Sequence, residues 1–257
     1  MPLLQDKIIE LGAMKKYPDE INYIGNLELL KRKKVSIVGT RHPNQYTKML
    51  TQEIARKLSL NGVCIVSGGA MGVDALAHHS AGVQNTIMVA GTGIDIRYPK
   101  INKKLIEDIE NNGLVLSQFK SKTPSNKYNF PLRNELVVAL GDILIVTQAD
   151  LKSGTMRSVE YALKMNKQIY VLCHRIGEST GTNNLLNSAD AKAIYDIDAF
   201  IQEVSGFNVV EKKEDEFLDF CETFPSYEDA LIKYPLRVFE AELSGEISIK
   251  NGKIFRV

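Results

Sequence analysis

The chain of 257 residues has no tryptophan, only three cysteines and four histidines, and no long apolar run. Each shortage excludes something. Cys64, Cys173 and Cys221 form no CxxC pair, so a disulfide framework and a zinc site are both unexpected. Cys64 and Cys173 lie inside apolar runs and read as small core residues. His78 and His79 are adjacent on one predicted helix, where neighbouring side chains diverge by about 100°, so they cannot pair on a metal. His78 reads as a structural hydrogen-bonder. No segment approaches the roughly 20 apolar residues of a membrane span, and the N-terminus lacks signal-peptide features, so the expected location is cytoplasmic. No metal and no cofactor are expected.

Charge of one sign is also missing. Lys and Arg number 32 against 31 Asp and Glu, a net of +1. The distribution is less even. Residues 208–257 hold 7 basic and 11 acidic side chains, a net of −4, which leaves +5 for residues 1–207. That balance tolerates a polyanion without demanding one. The basic run Lys31 to Lys34 reads as a solvated edge.

What is present is alternation. Short β-branched runs begin near Val35, Val63, Asn85, Leu114, Ile143 and Ile169. Between them lie helical patterns over 46–60, 73–81, 102–112, 132–140 and 155–165, three of them stopped by Gly62, Gly113 and Gly141. Nearly continuous apolar strands imply a sheet covered on both faces. The fold class expected is α/β: a Rossmann-like, doubly wound, mostly parallel sheet. Residues 1–33 read as a short lead-in, 34–207 as the extended Rossmann-like domain and 208–216 as a charged linker. Residues 217–257 read as a small C-terminal winged-helix-like domain, with three short helices and a hairpin around Asn251-Gly252.

Four loops that follow strands are rich in Gly, Ser or Thr: 39–43, 67–74, 91–93 and 152–155. In an open parallel sheet, ligands bind outside the carboxyl ends of the strands. Glycine lets the backbone approach an anion, and helix N-termini aim N–H groups at it. The shared chemistry is phosphate binding. No Gly-Lys-Ser/Thr closes a Walker loop, and no GxGxxG follows the first strand, so ATP and NAD are poorly supported. Arg41 can fork onto a phosphate, with a salt bridge to Asp74 as its bland alternative. Asp74 itself reads as a helix cap. In the polar segment 121–134, Lys122, Lys127 and Arg133 alternate with Tyr128 and Phe130. Bases stack on aromatics while cations follow the backbone. Tyr128 reads as folding back onto the core, while Phe130 is open to either role. The DNA- or phosphate-binding set is Arg41, Ser67, Gly68, Gly69, Gly91, Thr92, Lys127, Phe130, Arg133, Ser153 and Gly154. No nucleophile–base set is evident, so the chain is expected not to be an enzyme.

The motifs VGTR at 38–41, SGGAMGVDALAH at 67–78, GTGIDIRYP at 91–99, FPLRN at 130–134 and SGT at 153–155 resemble those of the DNA-processing protein A (DprA/Smf) family of natural transformation. The resemblance implies an extended Rossmann fold, a homodimer and sequence-independent binding of single-stranded DNA. It also implies loading of RecA recombinase onto incoming strands. Its DNA contacts fall on Arg41, Ser67-Gly68-Gly69, Lys127 and Phe130. An additional N-terminal helical domain found in some members is expected to be absent. Three departures stand out: Glu135 where a second Arg is common, Gln148 in place of Glu, and Arg157-Ser158 in place of Thr-Ala. The alternative is a nucleoside-monophosphate phosphoribohydrolase, whose signature Ser153-Gly154-Thr155 with Glu160 echoes loosely. A third reading makes the C-terminal segment a protein-binding adaptor.

Overall fold

The computed structural model describes residues 2–206, 216–221, 223, 225–243, 246–250 and 252–256. The chain divides into two compact units, Met1–Phe207 and Asn208–Val257.

The first unit is built on β2 (Lys34–Val38), whose run KVSIV is buried at every residue. From β2 the chain alternates as the β-branched runs dictate. It passes through α1 (Gln45–Leu60), β3 (Cys64–Gly68), α2 (Val73–Ala81), β4 (Thr86–Val89), α3 (Lys103–Asn112) and β5 (Leu114–Ser117). It continues through α4 (Asn129–Leu140), β6 (Ile143–Val146), α5 (Thr155–Lys164), β7 (Ile169–Leu172), α6 (Thr180–Asn187), β8 (Lys192–Ile194) and α7 (Ile197–Ser205). Asn44 caps α1 by accepting from the Thr47 amide at 2.8 Å. α4 carries a run of buried side chains from Leu136 to Leu140, as a helix wedged between sheet and neighbours must.

The eight strands lie in the order β1-β5-β4-β3-β2-β6-β7-β8, where β1 is Asn22–Gly25. Strands β2 to β5 step outward in one direction, and β6 returns to pair with the other side of β2. All pairings are parallel except β1 with β5. This is a doubly wound sheet whose topological switch point lies between β2 and β6.

Three sequence expectations need correction. The segment read as a lead-in supplies the edge strand β1, and its Ile8, Leu11, Ile21 and Leu29 join the main core with Val38 and Leu136. Its apolar residues are too sparse to announce a strand, and only pairing with β5 makes it one. Lys34, read as part of a solvated edge, is buried and ion-paired to Glu10 at 2.6 Å. Cys173 is exposed because β7 ends at Leu172.

The second unit contains α8 (Glu216–Cys221), α9 (Tyr227–Lys233), α10 (Pro235–Leu243) and the antiparallel hairpin of β9 (Ile247–Lys250) and β10 (Lys253–Arg256). Phe217, Ala230, Val238, Ile247 and Ile254 form its own core. Pro235 opens α10, where its missing N–H costs nothing. Residues 208–215 of the expected linker, and Asn251 of the expected turn, lie outside the described residues; Gly252 has φ 72°.

Candidate nucleic-acid interface

At the carboxyl ends of the strands, the loops after β2 and β6 are stitched together. Thr40 N–H donates to Gln148 O (2.9 Å), Asn44 N–H to Gln148 Oε1 (3.1 Å), and Thr155 Oγ1 to Gly39 O (3.1 Å). Gln148, a departure from the resembled pattern, therefore acts as a brace. Above this seam lies a cleft of about 770 Å³. Its walls come from the loops after β2, β3, β4, β5 and β6, and from the starts of α4 and α5.

Arg41 stands on the rim, exposed, and makes no ion pair among the described residues. Its backbone is fixed from behind. Val73 N–H donates to Thr40 O at 3.1 Å, and Gly72, at φ 78°, leaves no room for a Cβ against the Arg41 carbonyl (2.6 Å). A side chain at Gly72 would be strained twice, by conformation and by contact. The glycine loop thus positions the arginine of its neighbour.

Gly68 performs a different service. A Cβ there would collide with the Arg133 guanidinium and with Asp74 Oδ2 (2.6 Å). The missing side chain makes room for this buried pair at the floor of the cleft. Arg133 NH1 donates to Val89 O at 2.9 Å, and its Nε donates to Asn134 Oδ1 at 3.0 Å. Burial pushes the Asp74 carboxyl above its ordinary value, and the facing Arg133 charge opposes that rise. Asp74 is not the N-cap of α2. Gly72 holds that position without a side chain, while Asp74 reaches back to the Ala70 amide at 3.4 Å. The expected capping role becomes that of a loop tie and counter-ion.

Lys127 comes from the segment 118–128 between β5 and α4, and Phe130 from the first turn of α4. Lys127 is exposed, with Nζ 5.1 Å from the Tyr128 ring centroid. Tyr128 is 67% exposed, which overturns its expected place in the core. It is the N-cap residue of α4 and makes no side-chain capping hydrogen bond. Phe130 is half-buried and lies 5.9 Å from Tyr98 at an interplanar angle of 31°. Both rings line the cleft and the small pocket of about 50 Å³ that opens beside it.

Of the expected set, Arg41, Gly68, Lys127, Phe130, Arg133, Ser153 and Gly154 share the cleft, while Gly69 and Gly91 line the adjoining pocket. Ser67 and Thr92 line neither. Ser67 is buried with its Oγ donating to Ile37 O (2.6 Å), and Thr92 Oγ1 donates to Ile96 O (2.8 Å). Their hydroxyls hold loops. Tyr98, Arg157 and Ser158 line the cleft without having been expected there. Tyr98 had a signal, an aromatic within GTGIDIRYP on the same sheet edge. Glu160 is not among the lining residues and pairs with Arg157 at 2.8 Å. Among the described residues no group of three or more His, Cys, Asp and Glu is placed to hold a metal ion. No described helix is long and apolar enough to cross a membrane.

Comparison with known proteins adds the following. The family described as DNA recombination-mediator protein A matches residues 7–205. DNA processing protein DprA of Streptococcus pneumoniae is 36% identical over 182 residues, covering 69% of this chain and 64% of that protein. Protein Smf of a Synechocystis strain is 35% identical over 179 residues, covering 66% of this chain and 45% of that protein. The chain thus spans about half to two thirds of the length of these curated relatives. Helicobacter pylori DNA processing protein A, solved in a study of its single-stranded DNA binding mode, superposes with a TM-score of 0.77 at 41% identity. That match covers 79% of this chain and 94% of that one. The crystal structure of the Streptococcus pneumoniae protein gives a TM-score of 0.73 at 33% identity, covering 79% and 74%.

Proposed function

This chain belongs to the DNA recombination-mediator protein A family, and from that premise we propose that it binds single-stranded DNA without sequence preference along the cleft at the switch point. The observation that carries the proposal is the composition of the cleft. Among the described residues, Arg41, Lys127, Arg133 and Arg157 line it with a single carboxylate, Asp74, and two rings, Tyr98 and Phe130. Cations follow a phosphate backbone while rings take any base, because every base has a π-face. Arg41 and Lys127 grip successive phosphates, Arg133, tied to Val89 O and Asn134, braces the floor, and Phe130 with Tyr98 packs on a base or sugar. Ser153 and Gly154 extend the polar wall. No covalent chemistry is invoked, and the protein acts by holding the strand.

The wider reading is that the protein protects incoming strands during natural transformation and hands them to RecA recombinase. It would act as a cytoplasmic homodimer, and two clefts on one strand would add avidity. The winged-helix-like C-terminal unit, with net charge −4, suits a protein partner better than DNA.

Fluorescence anisotropy with an oligo-dT strand and with a duplex, across a salt series, tests the proposal. Tighter binding to the single strand, falling steeply with salt, is expected. Equal or absent binding to the strand would overturn it. Removal of residues 208–257 should leave strand binding intact, and sedimentation should return a dimer mass.

A further inference from the structure

The wall of the cleft beyond the switch point is the start of α5, and four of its features point to one ligand chemistry. First, the helix is open at its N-terminus. Its N-cap is Gly154, which has no side chain to accept from the first turn, and Thr155 Oγ1 turns away to Gly39 O. The Met156 and Arg157 amides fold back to Ser153 O and Gly154 O, both at 3.2 Å. The Gly154 and Thr155 amides are left without a hydrogen-bond partner among the described residues, at the positive end of the helix dipole.

A helix terminus alone would define nothing, but Ser158 adds an independent observation. It is 1% exposed, lines the cleft, and its Oγ has no hydrogen-bond partner. Buried hydroxyls are almost always satisfied. An orphan facing a cleft calls for a group that can accept its proton.

Third, Arg157 lines the same wall. Its guanidinium is paired with Glu160 one turn along the helix, with side chains 62% and 48% exposed. Such exposed pairs contribute little, so the guanidinium can turn to a better acceptor at small cost. Fourth, Asp74, the one carboxylate lining the cleft among the described residues, lies at the floor beside Arg133 and Gly68 rather than on this wall.

We propose that this wall is a second phosphate subsite, formed by the Gly154 and Thr155 amides, the Ser158 hydroxyl and Arg157. It takes a phosphodiester of the strand already held at Arg41 and Lys127, so that the strand crosses the switch point from one half of the sheet to the other. This rests on the proposed strand binding and adds a direction to it. Arg157 and Ser158 stand where the resembled pattern has Thr-Ala, whereas the Gly154 and Thr155 amides belong to the SGT motif that carries the resemblance.

The test compares Arg157→Ala, Glu160→Gln and Ser158→Ala with wild type on long and very short oligo-dT strands, with Arg41→Ala as reference. Arg157→Ala should weaken the long strand roughly 3- to 10-fold and lower the salt slope by about one, with little change for the shortest strand. Glu160→Gln should tighten binding roughly twofold by releasing Arg157. Ser158→Ala should weaken binding yet raise the melting temperature, since it removes an unsatisfied hydroxyl. If Arg157→Ala and Ser158→Ala bind the long strand like wild type while Arg41→Ala is weakened, the subsite does not exist. If wild type binds no strand at all, the functional proposal fails and the subsite is judged with inorganic phosphate by NMR. Shifts of the Gly154 and Thr155 amides that vanish in Arg157→Ala support it, and unmoved amides overturn it.

Discussion

The two ends of the parallel sheet treat their polar side chains in opposite ways. At the end where the strands begin, the cations Lys34, Arg32 and Lys167 all find acceptors within the protein. Lys34 Nζ reaches Glu10, Leu30 O (2.7 Å) and Arg32 O (3.0 Å). Arg32 donates to Gly62 O and Asn85, and Lys167 donates to Ala139 O and Gly141 O. At the end where the strands finish, Arg41 and Lys127 face the cleft with no carboxylate partner among the described residues. Residue type does not separate the two ends; the availability of acceptors does. A cation whose acceptors are internal holds the fold, and one without them is available to a ligand.

That contrast can be broken hardest through His78, which belongs to the closed end. Thr86 Oγ1 donates to Ile65 O at 2.8 Å, so it must accept from His78 Nδ1 at 2.5 Å. Burial pushes the imidazole down to about 3 from 6.5, so the folded state needs it neutral. The stability this contributes is complete above the unfolded value and disappears as pH falls from 6.5 toward 3. The loss reaches about 1.4 kcal/mol per pH unit. Asp74 works in the opposite sense: its raised value makes its contribution complete below 3.8 and lost as pH rises through the folded value. Urea titrations at about pH 6 and about pH 4 should show a loss in wild type that exceeds the loss in His78→Gln by close to one proton. Parallel slopes would show that His78 is not the group that titrates.

Next in size is Lys34→Ala. Burial acts to raise the Glu10 carboxyl, but the hydrogen bond to Lys34 wins and holds it below its ordinary value. Removing the ammonium strands that carboxylate and two carbonyls, at about 3 kcal/mol. The melting temperature should drop by roughly 6–12 °C, with strand affinity of the folded protein unchanged. Arg41→Ala should do the reverse. Affinity falls about tenfold, equivalent to about 1.4 kcal/mol, and the salt slope drops by about one, while stability stays within about 0.5 kcal/mol. Should either variant move both readouts equally, the division between the two ends collapses.

Legibility in the sequence follows a similar line. Strands β2 to β7 were readable because buried parallel strands need unbroken apolar runs, and helix ends were readable from Asn61-Gly62, Gly113 and Gly141. β1 (NYIG) and β8 (KAI) were not, because each is an edge strand whose pairing is decided by a distant neighbour. The glycine loops were readable as loops, but their purposes were not. Gly68 is small so that Arg133 and Asp74 can both lie against it, and Gly72 is left-handed so that Arg41 is held. Arg133, in a polar segment, gives no local sign that the start of α4 will bury it. Strand order was equally invisible, so the switch point that gathers the loops came only with the fold.

The smallest expected effect is the most discriminating, because it concerns a residue at the open end that does not line the cleft. The Tyr128 ring is two-thirds exposed and faces Lys127 Nζ at 5.1 Å. Two roles predict different couplings. If bases stacked on Tyr128 directly, Tyr128→Ala would cost about 1–3 kcal/mol whether or not Lys127 were present. If the ring only restrains Lys127, the loss is that of an exposed cation–π contact, about 0.5–1 kcal/mol, or roughly two- to fivefold in affinity. It would then vanish in a Lys127→Ala background. The position of Tyr128 outside the cleft wall favours the second role, so the double variant should bind as Lys127→Ala does alone. Additive losses would extend the interface past Lys127, and the open end of the sheet would then continue onto the outer face of the segment before α4.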